Sequence, residues 1–285
     1  VRRYFLAMYD RIRDLHGQIT NFEGTSLYDD AISPWLKNDG LIARSWLKDL
    51  RDNHKPPQTP WDNDDAVTLY ALSRIIDLLL LSFTPQPEGT ECWRCPRLTP
   101  NEFQTFTDAL GLETFAGDSF HPFFHEIFEV EQASDQALLP IIVNNIWSGL
   151  KLGNWIISRA GCNIRAGANH IPKDVAETSI MYWAYARNHR ATQDLSVGWG
   201  SQSQWRTRFR QDCHIDGKLF YNILKGDETD EQKEHMVTEL SADARLELVR
   251  HRCFIKFSKD HPPPDWDPYP YYLEHTEQLN PQAYK

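Results

Sequence analysis

FHPFFHEIFEVE, residues 120–131, is the stretch on which the reading of this chain turns. Twelve residues hold two histidines and three glutamates among four phenylalanines, an isoleucine and a valine. Apolar surface mixed so closely with titratable groups belongs where a core meets a cleft. Pro122 pushes His121 away from helical angles, which makes His121 an N-cap with proline at the first helical position. A helix running from there lays His125, Glu129 and Gln132 along one stripe, with Phe124, Ile127, Phe128 and Glu131 on the other side. His121 then stands above His125, and the pair with Glu129 has the ligand types of a divalent metal site. Glu126 is the catalytic candidate, as acid or base. Two other readings compete. The stripe is a solvated face in which His125 and Glu129 form an i,i+4 pair, or the alternation in IFEVE marks a strand.

Upstream, helical spacing prevails. Met8, Ile12, Leu15 and Ile19 extend a stripe begun by Tyr4 and Phe5, and Ile42, Trp46, Leu47 and Leu50 repeat the pattern. The HKPPQTP breaker at 54–60 stops that second helix. Asp62, Asp64 and Asp65 suit a helix N-terminus, and residues 67–83 are apolar nearly all round, as in a central buried helix. Thr99-Pro100-Asn101-Glu102 is a capping box with proline at the first position. Phe103, Phe106 and Leu110 follow as the buried face, and Gly111 terminates the helix.

Downstream the character changes. Residues 138–168 combine glycines with short isoleucine- and tryptophan-rich runs and read as several short strands. Helical spacing returns at 173–190. Asp216-Gly217 marks a hairpin within 203–224. A helix is expected after Ser241, and HPPPDWDPYPYY gives an extended tail. The expected fold is α+β and predominantly helical: a helical N-terminal half packed on a smaller glycine-rich antiparallel β region with further helices. It is read as one globular domain over 1–285, helical to about 132, mixed over 133–257, with a proline-rich tail at 258–285.

WRTRFRQD, residues 205–212, is the second chemical feature. On a strand Arg206, Arg208 and Arg210 share a face, a cationic ladder in a chain of net charge −10. Guanidinium forks grip phosphates and carboxylates bidentately. Arg159 and Arg165 are placed to join the ladder from a neighbouring strand. Cys92-Trp93-Arg94-Cys95 lies among prolines, without the strand and helix of a redox pair or the second pair of a zinc site. Arg250 and His251 flank Cys253, which is read as a buried cysteine rather than a nucleophile.

The acidic balance, with a pI near 5.5, argues against nonspecific nucleic-acid binding, which needs a basic face. Five scattered cysteines imply no disulfide framework and point to a reducing cytoplasm. The apolar run near 75–81 is too short to span a bilayer, and charges interrupt the N-terminal stripe, so neither membrane nor signal peptide is expected. Nucleophile-elbow, phosphate-loop, dinucleotide and H-E-x-x-H motifs are absent from the sequence. Two functions are carried forward. One is binding of a small anionic ligand, as a metal-dependent hydrolase acting on a phosphate-bearing or carboxylate substrate. The other is a non-catalytic acidic module, of inhibitor or immunity type, that neutralises a basic protein partner.

Overall fold

The computed structural model describes residues 2–58, 60–84, 97–178, 209–223, 242–251 and 274–279. They group into two compact units. Described residues of the first fall within Val1–Thr114, Lys151–Gly153 and 209–210; those of the second fall within Phe115–Leu150, 154–178 and 211–279.

The first unit is helical. α1 (Arg2–Thr20) buries Met8, Ile12, Leu15 and Ile19. A turn of helix at Ser33–Trp35 (α2), flanked by wider π-turns at Tyr28–Ile32 and Leu36–Gly40, leads into α3 (Leu41–Asn53). α4 (Asn63–Leu80) starts where the Asp62 carboxylate accepts from the Asp65 N–H at 2.9 Å, satisfying one orphan donor of the first turn. The segment Asp64–Phe83 is long and apolar enough to cross a membrane, and most of it is buried inside the protein. α5 (Pro100–Leu110) carries the expected capping box, with Thr99 and Glu102 bonded reciprocally, and ends at Gly111 with φ 75°.

The second unit carries most of the sheet structure, and it corrects the sequence reading. Among the described residues there are nine strands in two sheets, so the protein is not predominantly helical. The helical part ends at Leu110 rather than near 132. β1 (Glu113–Phe115) and β2 (His125–Gln132) are already strands. Nor is the β region purely antiparallel. β2 runs parallel to β6 (Ala160–Ala166), and β3 (Ile141–Trp147) runs antiparallel to β6 on its other side.

The reason lies in 120–131. His121 does cap a turn: its carbonyl accepts from the Phe124 and His125 N–H groups, and its Nδ1 accepts from the Phe123 N–H at 3.1 Å. The turn goes no further, because alternation wins from His125 onward. A bulge between Ile127 and Glu129 inserts Phe128, so Ile127 and Phe128 are both buried although adjacent. That apolar doublet imitates the i,i+3/i+4 spacing of a helix. Ile127 and Val130 join Cys162, Ile164 and Ala166 in one core. Phe128 packs edge-on to Trp147 at 6.0 Å on the other face, and Trp147 lies against Gly161, where a Cβ would stand 2.2 Å from the ring.

The larger sheet has the order β1, β4 (Gly149–Leu152), β5 (Trp155–Ser158), β7 (Asp212–Ile215), β8 (Lys218–Tyr221), β9 (His275–Gln278). The four strands from β5 to β9 lie wholly in the second unit. β7 and β8 form the expected hairpin, with Asp216 (φ 48°) and Gly217 (φ 76°) at its turn, the left-handed pair that matches strand twist. Among the described residues two helices complete the unit, α6 (Lys173–Thr178) and α7 (Ala242–His251). Phe123, Ile156, Leu219, Tyr221 and Val249 form its second core.

Candidate functional site

Beside that second core lies a cluster of polar side chains, centred on Glu277 of β9. Glu277 Oε1 accepts a very short hydrogen bond from the Tyr221 hydroxyl and lies 3.6 Å from His121 Nε2. Glu277 Oε2 lies 3.3 Å from Arg250 Nε and 3.8 Å from His275 Nε2. These groups come from the turn before β2, the end of β8, the last turn of α7 and β9 itself. Alternation along β9 places His275 and Glu277 on one face. Tyr221 is fully buried, and His121, Arg250, His275 and Glu277 are partly open to solvent. Burial, the Glu277 charge and the shared hydrogen bond push the Tyr221 phenol well above its ordinary range, so it is a donor.

Beneath the cluster lies a buried ion pair. Arg159 donates through Nη2 to Asp212 Oδ2 at 3.2 Å and through Nη1 to the Arg250 carbonyl at 2.8 Å. Asp212 Oδ1 accepts the Asn222 N–H at 2.8 Å. Arg159 therefore neutralises Asp212 and at the same time fixes the backbone that carries Arg250.

His121, His125 and His251 are held neutral. Burial lowers His121 to about 4, and Arg250, Arg159 and His125 add to the lowering against the opposing pull of Glu277. Burial and Arg159 lower His125, against the raising effect of a hydrogen bond to the His121 carbonyl. His251 is driven well below its ordinary value by burial, then by Arg250, Arg159 and His121. Neutral imidazole has one lone pair, and that of His121 accepts the Phe123 amide at Nδ1. Nε2 then carries the proton and faces Glu277 as a donor. A metal at Nε2 would cost that backbone hydrogen bond. Phe120 stacks on His251 at 6.5 Å and 16° and lies over His125 at 5.9 Å. His125 meets the His121 backbone through Nδ1. Its Nε2 is buried without a hydrogen-bond partner among the described residues.

The residues singled out from sequence divide accordingly. His121 lies in the cluster, Arg159 in the ion pair beneath it, and His125 beside His121. Glu129 is exposed and pairs in register with Asn163, on the sheet face opposite His125, so these two are not brought together. Glu126 is on that opposite face as well. Among the described residues no group of three His, Cys, Asp or Glu side chains is arranged to hold a metal ion. Arg165 pairs bidentately with Glu131 on the exposed face, at 2.8 and 2.9 Å. Arg210 is buried in the first unit, and Arg206, Arg208, Cys92, Cys95 and Cys253 lie outside the described residues. Cys162 and Cys213 are buried, with thiols pushed up to about 12 chiefly by that burial, which leaves neither a ready nucleophile.

Sequence reasoning missed Tyr221, Asp212, His275 and Glu277, and noticed Arg250 only as a neighbour of Cys253. The alternation in HTE at 275–277 is the local signal that puts His275 and Glu277 on one side. Comparison with protein-family models, curated proteins and solved structures finds no match for this chain.

Proposed function

We propose that this protein binds a small anionic ligand bearing a carboxylate or phosphate, through Tyr221, His121 and Arg250. The supporting observation is that one carboxylate, Glu277, accepts the Tyr221 hydroxyl and lies 3.3 Å from Arg250 Nε, as an ion pair, and 3.6 Å from His121 Nε2, three groups from three separate elements. Donors preorganised in this way are aimed at negative charge before a ligand arrives. The balance of charge supports the same reading. Arg159 is matched by Asp212, so among the described residues a donor set relieved of Glu277 keeps the Arg250 charge uncompensated. A ligand anion takes the place of Glu277, which competes as a tethered group at an effective concentration of millimolar order or above. Apparent affinity is reduced accordingly. A cytoplasmic setting, read from the sparse cysteines, belongs to the same proposal.

The test is calorimetric titration of the full chain with succinate and with inorganic phosphate, beside Arg250→Ala and the surface variant Arg165→Ala. Arg250→Ala is expected to weaken binding at least ~10-fold, the order of a lost charge-assisted hydrogen bond, and Arg165→Ala to leave it unchanged. Equal loss in both variants, or none in either, would remove the assignment.

A further inference from the structure

β9 is the strand that brings Glu277 to the donors, and it is held differently from the rest of its sheet. It has four residues at the sheet edge, pairing antiparallel with β8 from Lys218↔Gln278 to Tyr221↔His275. Exposure alternates along 274–279, and none of these residues is fully buried. The apolar anchor is Leu279, partly buried against Phe123, Leu219, Tyr221 and their neighbours. Its polar ties include main-chain pairing with β8, the Leu279 N–H donated to the Gly217 carbonyl at 2.7 Å, the Gln278 amide on the same carbonyl at 3.0 Å, and the Glu277 carboxylate, and the His275 ring lies against Tyr221 at 5.7 Å. A segment with so little apolar burial opens at low cost. Its departure would expose two things together: the main-chain edge of β8 and the donors Tyr221, His121 and Arg250.

We infer that the β8 edge and this donor set form a docking surface for an extended acidic peptide segment, and that β9 is a replaceable internal occupant of it. The inference rests on the anion-binding reading above and narrows its ligand from a free anion to a glutamate presented on a strand. β9 shows the pattern such a partner must satisfy. Its main chain pairs with Lys218, Leu219, Phe220 and Tyr221. The glutamate sits opposite Leu219, and an apolar residue two positions further on reaches the core beside Phe123. Strand addition of this kind takes affinity from main-chain hydrogen bonds and specificity from alternate side chains. Here the specificity element is the buried Tyr221 hydroxyl with the His121 and Arg250 donors. A glutamine at that position would remove the Arg250 counter-charge present among the described residues.

The experiment uses the full chain and a fluorescein-labelled peptide, EHTEQL, copying residues 274–279, read by fluorescence anisotropy. Glu277→Ala, which removes the competing carboxylate, and Leu279→Ala, which loosens the strand and leaves every donor intact, should each bind the peptide at least ~10-fold more tightly than wild type. EHTQQL should bind both variants at least ~10-fold more weakly than EHTEQL. Hydrogen exchange at Lys218, Leu219, Phe220 and Tyr221 should be faster in the variants and slowed by the peptide. The inference is overturned if neither variant binds better than wild type, or if the two peptides bind alike. Titration of the same variants with acetate separates the two levels. Acetate binding by Glu277→Ala without peptide binding removes the docking surface and leaves the anion site standing. Binding of neither removes both.

Discussion

Replacing Arg159 by methionine is the substitution whose effect the structure fixes most closely. The guanidinium is all but inaccessible, with 1% side-chain exposure, and its partner Asp212 has 4%. Methionine fills the volume and removes the charge. The Asp212 carboxylate then stays buried with the Asn222 N–H still bonded to it, and the Arg250 carbonyl loses its donor. Breaking a buried pair from one side costs roughly 3–5 kcal/mol, because the remaining charge is uncompensated. At a few degrees per kcal/mol for a chain of this size, the melting temperature should fall by about 10 °C. The assay is urea unfolding of wild type, Arg159→Met, Asp212→Asn and the double variant. The double variant should be more stable than the sum of the single losses predicts, by about 2 kcal/mol, as expected for groups in direct contact. A loss below about 1 kcal/mol for Arg159→Met, or strict additivity, would refute the claim that this pair underpins the site.

Three further outcomes follow from the same geometry. His121 titrates at about 4 in the folded protein against 6.5 ordinarily, so as pH falls the unfolded chain takes up its proton first. Stability is therefore full above pH 6.5 and declines towards 4, by roughly 3 kcal/mol from His121 alone at 1.36 kcal/mol per pH unit. His125 and His251 are lowered as well and act in the same direction. Melting temperatures between pH 8 and 4 check this, and a flat profile from 6.5 to 4.5 would contradict it. Gly161→Ala sets a Cβ 2.2 Å from the Trp147 ring and should cost about 1–3 kcal/mol, the usual range for overpacking, seen as a lowered urea midpoint. Thr99→Ala removes the side chain that caps α5 and should cost about 1 kcal/mol in the same assay.

Local signals in the sequence sufficed wherever one local rule governed one element. The α5 capping box, the all-round apolar run of α4 and the Asp216-Gly217 hairpin needed nothing from the rest of the chain. The short strands expected in 138–168 are there as β3 to β6. The stretch at 120–131 misled because two local rules compete in it. Pro122 and His121 begin a helical turn, and the bulge at Phe128 supplies a false helical spacing. What settles the conflict is pairing with β6, more than thirty residues later, which no local pattern encodes. The site failed to show for a similar reason. Glu277 lies beyond a proline-rich segment that reads as a surface tail, and its value comes from Tyr221, Arg250 and His121, each on a different element. Arg159 reads in the sequence as a residue placed to join an anion-binding ladder from a neighbouring strand. In the fold its guanidinium is buried, bonded to Asp212 and to the Arg250 carbonyl.

The anion site is tested most directly by chemical rescue. Glu277→Ala removes the internal carboxylate and leaves the donors in place, so a small carboxylate supplied in solution should take its position. A ligand at ten times its dissociation constant stabilises by about 1.4 kcal/mol. The melting temperature of Glu277→Ala should therefore rise with acetate, against a chloride control of equal ionic strength, by several degrees more than that of wild type. A Glu277→Ala protein whose melting temperature responds to acetate no more than wild type does would contradict the account.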